Sequence, residues 1–119
     1  MTHTLNLHPQ PFALIADGRK TIELRLCDEK RSQIQVGDTL VFTHSDDSTQ
    51  TLTAKVTALH RFPDFAALYA ALPLDKCGYL PEELPTASPE DMNLYYSAEK
   101  QAIYGVVGIE IALIEEENQ

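Results

Sequence analysis

The segment Gly18-Arg19-Lys20-Thr21-Ile22-Glu23-Leu24-Arg25 contains the strongest structural signal in this chain of 119 residues. Apolar and polar residues alternate from Lys20 to Leu26, and such alternation predicts a β-strand. The apolar face of this strand would consist of Ile22, Leu24 and Leu26, and the polar face of Thr21, Glu23 and Arg25. A short helix is predicted over residues 12–16, and Gly18 marks its end, since helices commonly end at a left-handed residue. We therefore predict a half-buried strand with a charged face, entered through a glycine turn.

The charged face is also a candidate binding or catalytic site. A lysine at the end of a strand, beside a hydroxyl and a carboxylate, can hold an anion, or can act as a base if burial lowers its pKa. The residues that could contact a ligand here are Arg19, Lys20, Thr21 and Arg25. The alternative is purely structural, a solvated strand edge with ion pairs to neighbouring strands. The pattern alone leaves both interpretations open.

The distribution of charge limits the kind of partner. Nine basic and eighteen acidic residues give a net charge of −9. Residues 17–31 contain five of the bases and four of the acids, so this segment has a net charge of +1 and the rest of the chain carries −10. Phosphate backbones and anionic lipids repel such a chain over most of its surface. We therefore expect no broad nucleic-acid interface and no DNA partner, and expect any anion to bind near residues 17–31.

The remaining patterns predict a short strand over residues 4–7 and a hairpin over residues 39–59. They also predict an amphipathic helix over residues 65–72, a long loop over residues 73–89 and a last strand over residues 106–114. Residues 115–119 are expected to form a solvated acidic tail. The order of elements, β-α-β-β-β-α-α-β, lacks regular crossover helices. It therefore favours an α+β fold, a small mixed β-barrel with flanking helices, over a parallel α/β sheet. The length corresponds to a single domain, residues 1–119.

A second helix is predicted from Ser88 to about Ile103 and contributes another candidate site residue. Ser88 and Pro89 are typical of a helix start. One face of this helix would carry Met92, Tyr95, Tyr96, Glu99, Ala102 and Ile103. A carboxylate within an apolar stripe must be paired, protonated or at the mouth of a cavity, and Lys20 and Arg25 are its natural partners. The alternatives are a structural salt bridge or a Glu99 that reaches solvent, while Tyr96 and its neighbours either stack on a ligand or pack in the core.

Several common sites are excluded by the sequence. It contains no G-x-G-x-x-G, P-loop, H-E-x-x-H or G-x-S-x-G motif, and its histidines are scattered. Cys27 and Cys77 lie fifty positions apart, so we expect two free thiols, no metal site, no cofactor and a cytoplasmic location. No apolar run approaches the ~18 residues of a transmembrane helix, and the first ten residues do not resemble a signal peptide.

The segment 18–25, followed by Val36-Gly37-Asp38, resembles the ASCH domain, a branch of the PUA-like superfamily. Tyr95-Tyr96-Ser97-Ala98-Glu99 and Tyr104-Gly105-Val106-Val107-Gly108-Ile109 are similar to the closing helix and strand of that domain. The resemblance extends from about Leu5 to Leu113. It implies a β-barrel surrounded by helices, with a cleft lined by the Gly18-Arg25 segment, and a ligand that is RNA or a nucleotide.

The same resemblance implies possible enzymatic functions. One bacterial branch of the family hydrolyses N4-acetylcytidine with a lysine, a threonine nucleophile and a glutamate. Lys20 matches the lysine, whereas the position of the nucleophile, three residues later, is Glu23. Thr21 is not the nucleophile of that branch, and Glu99 is the candidate for its glutamate. Direct attack by water, with Glu23 or Glu99 as the base and Lys20 stabilising an oxyanion, is the chemistry left open. Other members of the family are ribonucleases.

Three functions follow as hypotheses. The first is a module that binds RNA, a nucleoside or a nucleotide through Arg19, Lys20, Thr21, Arg25 and Tyr96. The second is a hydrolase of a modified nucleoside or a ribonuclease, with Lys20, Glu23 and Glu99 as catalytic residues. The third is a protein-interaction domain that uses residues 73–91, whose apolar points are Tyr79, Leu80 and Leu84.

Overall fold

A mixed five-stranded sheet organises the computed structural model, which describes residues 1–114. The strands are β1 (Thr2–Leu7), β2 (Ile22–Leu26), β3 (Thr39–His44), β4 (Thr51–Phe62) and β5 (Val106–Leu113). Their order in the sheet is β1-β3-β4-β5-β2, with β1 and β3 parallel and all other neighbours antiparallel. The predicted hairpin is confirmed as β3 and β4. The expected acidic tail, residues 115–119, lies outside the described residues.

The sheet curls into a half-barrel, because its two edge strands, β1 and β2, approach each other. Arg25 in β2 donates a hydrogen bond from Nη2 to the backbone carbonyl of Asn6 in β1, over 2.6 Å. In a flat sheet these edges would be four strand spacings apart, roughly 19 Å at about 4.8 Å each. The contact therefore requires strong curvature. The expected α+β fold, a PUA-like mixed barrel with flanking helices, is confirmed in this half-barrel form.

In the described part of the chain, three α-helices accompany the sheet: α1 (Pro9–Ala16), α2 (Phe65–Ala71) and α3 (Ala98–Tyr104). Beyond the end of α1, Gly18 has a φ of +84°, the left-handed conformation expected from the sequence. The start of α2 is capped by Asp64, whose side chain accepts a hydrogen bond from the Ala67 N–H over 2.9 Å. Within residues 1–114, no helix has the length and apolarity needed to cross a membrane.

Two apolar cores lie on opposite faces of the sheet. The inner core fills the half-barrel and includes Leu5, Phe12, Leu40, Phe42, Val107 and Ile109. The outer core lies beneath α2 and includes Ile22, Leu24, Leu26, Phe65, Leu68 and Val106. Gly108 permits this second layer, since a Cβ there would lie 2.7 Å from Leu72 Cδ1. The apolar face of β2 therefore packs against α2, outside the half-barrel.

The charged face of β2 is buried, and the expectation of a half-buried strand is wrong for this face. Glu23 is paired in register with Ile109 of β5, and Arg25 with Val107, so both side chains share a face with the inner core. Glu23 is only 4% exposed. Alternation along the strand assigns the two faces correctly, but it does not show that the sheet curls around the polar one.

The single helix predicted from Ser88 to about Ile103 is wrong, because the chain forms two shorter elements there. Residues Pro89–Leu94 form a 3₁₀ helix with the expected capping box, in which the side chain of Ser88 caps the start and Asp91 bonds back to its backbone. The segment that follows ends in Ser97, whose hydroxyl accepts a hydrogen bond from the Lys100 N–H and caps α3. Met92 packs against the outer core whereas Glu99 and Ile103 are exposed, so the predicted common face does not exist.

Candidate functional site

A cleft of about 380 Å³ opens between the edge strands of the half-barrel. One side is formed by the end of β1 and the start of α1, and the floor by β2. The opposite wall comes from α2, residues 77–83 and residues 91–96. Cavities of this size are typical of small-molecule sites, which range from about 300 to 1,000 Å³.

Three charged side chains form the floor of the cleft. Glu23 Oε1 lies 2.7 Å from Lys20 Nζ, and Glu23 Oε2 lies 2.6 Å from Arg25 Nε. The side chains are nearly covered, with exposed fractions of 11% for Lys20 and Arg25 and 5% for Glu23. One carboxylate thus holds two cations in fixed positions, and Arg25 also links the two sheet edges.

Electrostatics keeps this cluster ionised despite its burial. Burial opposes the charged form of Glu23, but the attraction of Lys20 and Arg25 and their hydrogen bonds outweigh it, so the pKa of Glu23 is lowered. For Arg25, burial is likewise outweighed by the attraction of Glu23, and its pKa is raised. A carboxylate with a lowered pKa is a weak base. In this arrangement Glu23 is better suited to orienting cations than to accepting a proton from water.

The turn at Gly78 holds Lys20 over the cleft. Gly78 has a φ of +111°, and a Cβ at this position would lie 3.2 Å from Lys20 Cδ. The backbone on both sides of the lysine is also fixed, since the Lys20 N–H donates to the Leu14 carbonyl over 3.0 Å and the Thr21 N–H to the Lys76 carbonyl over 2.9 Å. The absence of a Cβ at Gly78 therefore leaves space for the methylene groups of the Lys20 side chain.

A chain of hydroxyl groups forms one wall. Tyr79 donates a hydrogen bond to Asp91 Oδ2 over 2.7 Å, and Tyr69 donates to the Tyr79 oxygen over 2.7 Å. Burial is the largest cause of a raised pKa at both tyrosines. Burial also raises the pKa of the nearby Cys77 thiol to about 11. These hydroxyl and thiol groups therefore remain protonated at neutral pH, and none of the three is an activated nucleophile.

Aromatic and apolar residues form the rim of the cleft. Tyr96 packs against Phe65 with ring centroids 6.1 Å apart and planes 18° from parallel. Burial raises the pKa of Tyr96, and Arg25 acts in the opposite direction. Tyr95 is 62% exposed and its ring lies 6.4 Å from that of His8, while Leu94 is 85% exposed. The rim therefore presents apolar surface and aromatic faces to solvent.

The structure brings together only part of the residue set suggested by the sequence. Lys20, Glu23, Arg25 and Tyr96 line the cleft. Three residues lie outside it: Arg19, Thr21 and Glu99. The side chain of Arg19 is 67% exposed and faces Asp17 at 3.4 Å, and Glu99 is exposed in the first turn of α3. Of the alternatives left open for Glu99, the structure shows the one in which the side chain reaches solvent, and not a pairing with Lys20 or Arg25. Both cations pair with Glu23, and the break at Ser97 separates α3 from the cleft-lining residues 91–96.

Several lining residues were not among the sequence candidates. Tyr69, Tyr79, Asp91 and the Asn6 carbonyl come from four separate parts of the chain. Tyr69 fits the apolar stripe of α2, so its pattern predicts core packing. In the sequence Tyr79 is only an apolar point of residues 73–91, and no local pattern places it in the cleft. That segment packs as a cleft wall, and its contact with a protein partner stays a prediction.

Metal binding finds no support in the described part of the chain. Within residues 1–114, no three His, Cys, Asp or Glu side chains form a group that could hold a metal ion. The two cysteines are free, with Cys77 buried and Cys27 half-buried.

The fold and the cleft together define a small PUA-like half-barrel domain with a charged floor. The ASCH domain family matches residues 5–115, and the chain belongs to this family. No curated protein matches the sequence at a significant level.

Solved structures agree with this assignment. The crystal structure of hypothetical protein PH0355 is 30% identical, with a TM-score of 0.78, over 96% of this chain and 100% of that one. The solution structure of protein PF0455 from Pyrococcus furiosus is 32% identical, with a TM-score of 0.68, over 98% of this chain and 100% of that one. ASCH from Zymomonas mobilis is similar in fold, with 14% identity and a TM-score of 0.64 over 93% of this chain and 66% of that one.

Proposed function

We propose that this ASCH domain binds RNA, a nucleoside or a nucleotide in the cleft, with Lys20, Arg25 and Tyr96 as its main contacts. The main support for the proposal is that one cavity of about 380 Å³ contains both hydrogen-bond donors and aromatic surface. Proteins recognise unstacked bases by stacking them on aromatic side chains and bonding their polar edges. Arg19 and Thr21, which lie outside the cavity, are left out of this contact set. The two free cysteines support the further proposal of a cytoplasmic location.

A small ligand or a short single strand fits better than a long polymer. The net charge of −9 repels extended phosphate backbones, and the half-barrel offers one cleft with two cations at its floor. Affinity for a short RNA should therefore fall only slightly with salt, with a slope that corresponds to about zero to two phosphates. A slope corresponding to many phosphates would contradict the small-ligand form of the proposal.

The test is calorimetric titration of ribonucleosides, their 5′-monophosphates and a short RNA into the wild type and paired variants. Lys20→Met removes the charge in the cleft and keeps an unbranched side chain over Gly78. Lys30→Met removes the same charge from an exposed residue of the same segment. We expect binding in the wild type, a loss of roughly tenfold or more in Lys20→Met, and no change in Lys30→Met. No binding of any probe to the wild type would overturn the proposal.

The aromatic rim is tested by a second pair. Tyr95→Ala removes a ring that lines the cleft and is 62% exposed, and Tyr104→Ala removes one that is 43% exposed and lies outside it. Neither is buried, so both variants should fold. Stacking on an aromatic side chain contributes about 1–3 kcal/mol per base. We expect weaker binding in Tyr95→Ala alone, and equal losses in both variants would count against a stacking role.

Hydrolysis of a modified nucleoside or of RNA is the second candidate. It is favoured by one observation, the 2.7 Å contact of Lys20 Nζ with Glu23 Oε1 inside the cleft. Water would attack the electrophilic carbon or phosphorus while Lys20 stabilises the oxyanion and Glu23 accepts a proton from the water. The bond to the leaving group would then break, and the proton held by Glu23 would pass to that group. The lowered pKa of Glu23 and the absence of an activated nucleophile among the cleft residues described above place this function second. Chromatography of the titrated mixtures after long incubation tests it, and intact ligands would contradict it.

A further inference from the structure

The basic segment has little free positive charge. Of the five bases in residues 17–31, four form ion pairs with acids of the same segment: Arg19 with Asp17, Lys20 and Arg25 with Glu23, and Arg31 with Asp28. Lys30 forms no ion pair within residues 1–114 and is exposed. Most of the bases in the segment are therefore engaged in local ion pairs, and the net charge of +1 does not correspond to a cluster of free cations.

The cleft itself is rich in acids. Its lining contains two cations, Lys20 and Arg25, against three carboxylates, Glu23, Glu83 and Asp91, a formal charge of −1. Two donors of Arg25 are also engaged, Nε with Glu23 and Nη2 with the Asn6 carbonyl. A phosphate monoester, with a charge of about −1.5 to −2 near pH 7, would enter a cavity that already carries excess negative charge.

A phosphate would also have to compete with Glu23. This carboxylate is 5% exposed in its side chain and is held by both cations, so taking either of them would leave a buried charge poorly compensated. An uncharged ring makes no such demand. It can accept hydrogen bonds from the remaining N–H groups of the Lys20 ammonium and donate hydrogen bonds to the carboxylates. It can also lie against the apolar rim of Met92, Leu94 and Tyr95.

We infer, on the basis of the proposed function, that the cleft accepts the uncharged part of its ligand, an unphosphorylated nucleobase or nucleoside, and leaves any phosphate outside. The acidic lining makes the site selective against phosphate. This ligand chemistry has two sources, a free nucleoside or an unstacked base within RNA.

The experiment compares each ribonucleoside with its own 5′-monophosphate by calorimetric titration of the full chain at low and moderate salt. We expect each nucleoside that binds to bind roughly tenfold or more tightly than its monophosphate, with the difference shrinking as salt screens the repulsion. A short RNA oligomer without terminal phosphates distinguishes the two sources. If it binds more tightly than the nucleosides, with a salt slope near zero, the site is assigned to a base within RNA. If it binds more weakly than the nucleosides, the site is assigned to the free nucleoside.

A matched pair of variants tests the electrostatic cause. Glu83→Gln removes one carboxylate of the lining and keeps an oxygen that can accept the bond from the Leu80 N–H, which spans 2.8 Å. Glu82→Gln removes the same charge from the exposed neighbouring residue, which does not line the cleft. We expect Glu83→Gln to reduce the preference for the nucleoside several-fold and Glu82→Gln to leave it unchanged. Equal preferences in the two variants would overturn the electrostatic explanation.

The two possible failures give different results. Monophosphates that bind the wild type as tightly as nucleosides, or more tightly, would overturn the inference and leave the proposed function in place. Absence of binding by nucleosides, monophosphates and RNA alike would overturn both.

Discussion

Glu23 on β2 and Asp38 at the start of β3 are both carboxylates with a lowered pKa, but the causes differ. At Glu23 burial is the largest influence and opposes ionisation, and the attraction of Lys20 and Arg25 outweighs it. At Asp38 hydrogen bonds dominate, from His3 first and then from the Gln35 N–H, and burial contributes little. His3 Nε2 and Asp38 Oδ2 lie 2.8 Å apart, and the Gln35 N–H reaches the same oxygen over 3.0 Å.

The comparison shows how burial changes the effect on stability when a carboxylate loses a hydrogen-bond or ion-pair partner. Water can replace a lost hydrogen bond at Asp38 more readily, because its side chain is 13% exposed and lies beside the exposed N-terminus, whereas that of Glu23 is 5% exposed. Water reaches Glu23 less easily, so the loss of one of its two cations leaves a carboxylate oxygen without its hydrogen-bond partner in the protein interior. The two sites should therefore respond very differently to substitutions of the same kind, and the following predictions test that difference.

The largest effect is expected for Arg25→Met. This change removes one of the two cations that hold Glu23 and also the hydrogen bond that joins β2 to β1. Breaking a buried ion pair from one side typically destabilises a protein by about 3–5 kcal/mol. Urea unfolding should show a loss of this order, whereas the control Arg61→Met, at an exposed position in β4, should change stability by less than about 0.5 kcal/mol.

The double variant Glu23→Gln/Arg25→Met provides the internal check. Removing the carboxylate as well takes away the partner that Lys20 keeps in Arg25→Met, and the Lys20 side chain is only 11% exposed. The double variant should therefore be less stable than Arg25→Met by urea unfolding. A double variant as stable as Arg25→Met would show that the loss comes from packing or from the β1 contact and not from the ion pairs.

A smaller effect is expected for Gly78→Ala, with Gly37→Ala as its control beside Asp38. Both glycines have a positive φ, +111° and +95°, so an alanine is strained at either position by about 1–3 kcal/mol. Only at Gly78 would the new Cβ also press on the Lys20 side chain, at 3.2 Å, because the space at Gly37 is open. Gly78→Ala should therefore be the more destabilising by urea unfolding and should alone weaken ligand binding. Equal effects on both measurements would indicate that Gly78 serves the backbone only.

The smallest effect is expected for Asp38→Asn, and it depends on pH. The pKa of Asp38 is lowered from an ordinary value of 3.8 to about 2. A lowered pKa in the folded state contributes stability that is complete above the ordinary value and is lost as the pH falls toward 2. Asp38→Asn should therefore be less stable than the wild type at neutral pH, with the difference shrinking between about pH 4 and pH 2. Unfolding curves measured across this range would show it, with Asp46→Asn, an exposed carboxylate in the β3–β4 loop, as the control. A difference that stays constant with pH would contradict the role of the charge.

Much of the fold was predictable from local patterns. Alternation located β2, β3, β4 and β5, and the stripe from Phe65 to Leu72 located α2, because each of these elements buries one face along its whole length. The same reasoning failed over residues 88–103. Met92, Tyr96 and Glu99 have helical spacing, yet the chain turns at Ser97, a second serine that caps a helix start. Helical spacing places residues on one face only while they belong to the same uninterrupted helix.

The candidate site was predictable only in part, for a related reason. Lys20, Glu23 and Arg25 are close in sequence and share a strand face, so their proximity follows from local geometry. Tyr69, Tyr79 and Asp91 are separated by ten or more residues in irregular surroundings, and their hydrogen bonds form only when the segment 73–91 folds back over α2.

The sequence by itself determined the strands, the first two α-helices and the clustering of bases around Lys20, because propensities and periodicities act over a few neighbouring residues. Its motifs also carried the resemblance to the ASCH family, whose model matches residues 5–115. Only the tertiary structure decided that the charged face of β2 is buried, that Glu23 and not Glu99 pairs with both cations, and that Arg25 reaches Asn6. These features depend on the curl of the sheet, which brings its two edges together. Curvature arises from the packing of the whole sheet, so it cannot be predicted from any short segment of the sequence.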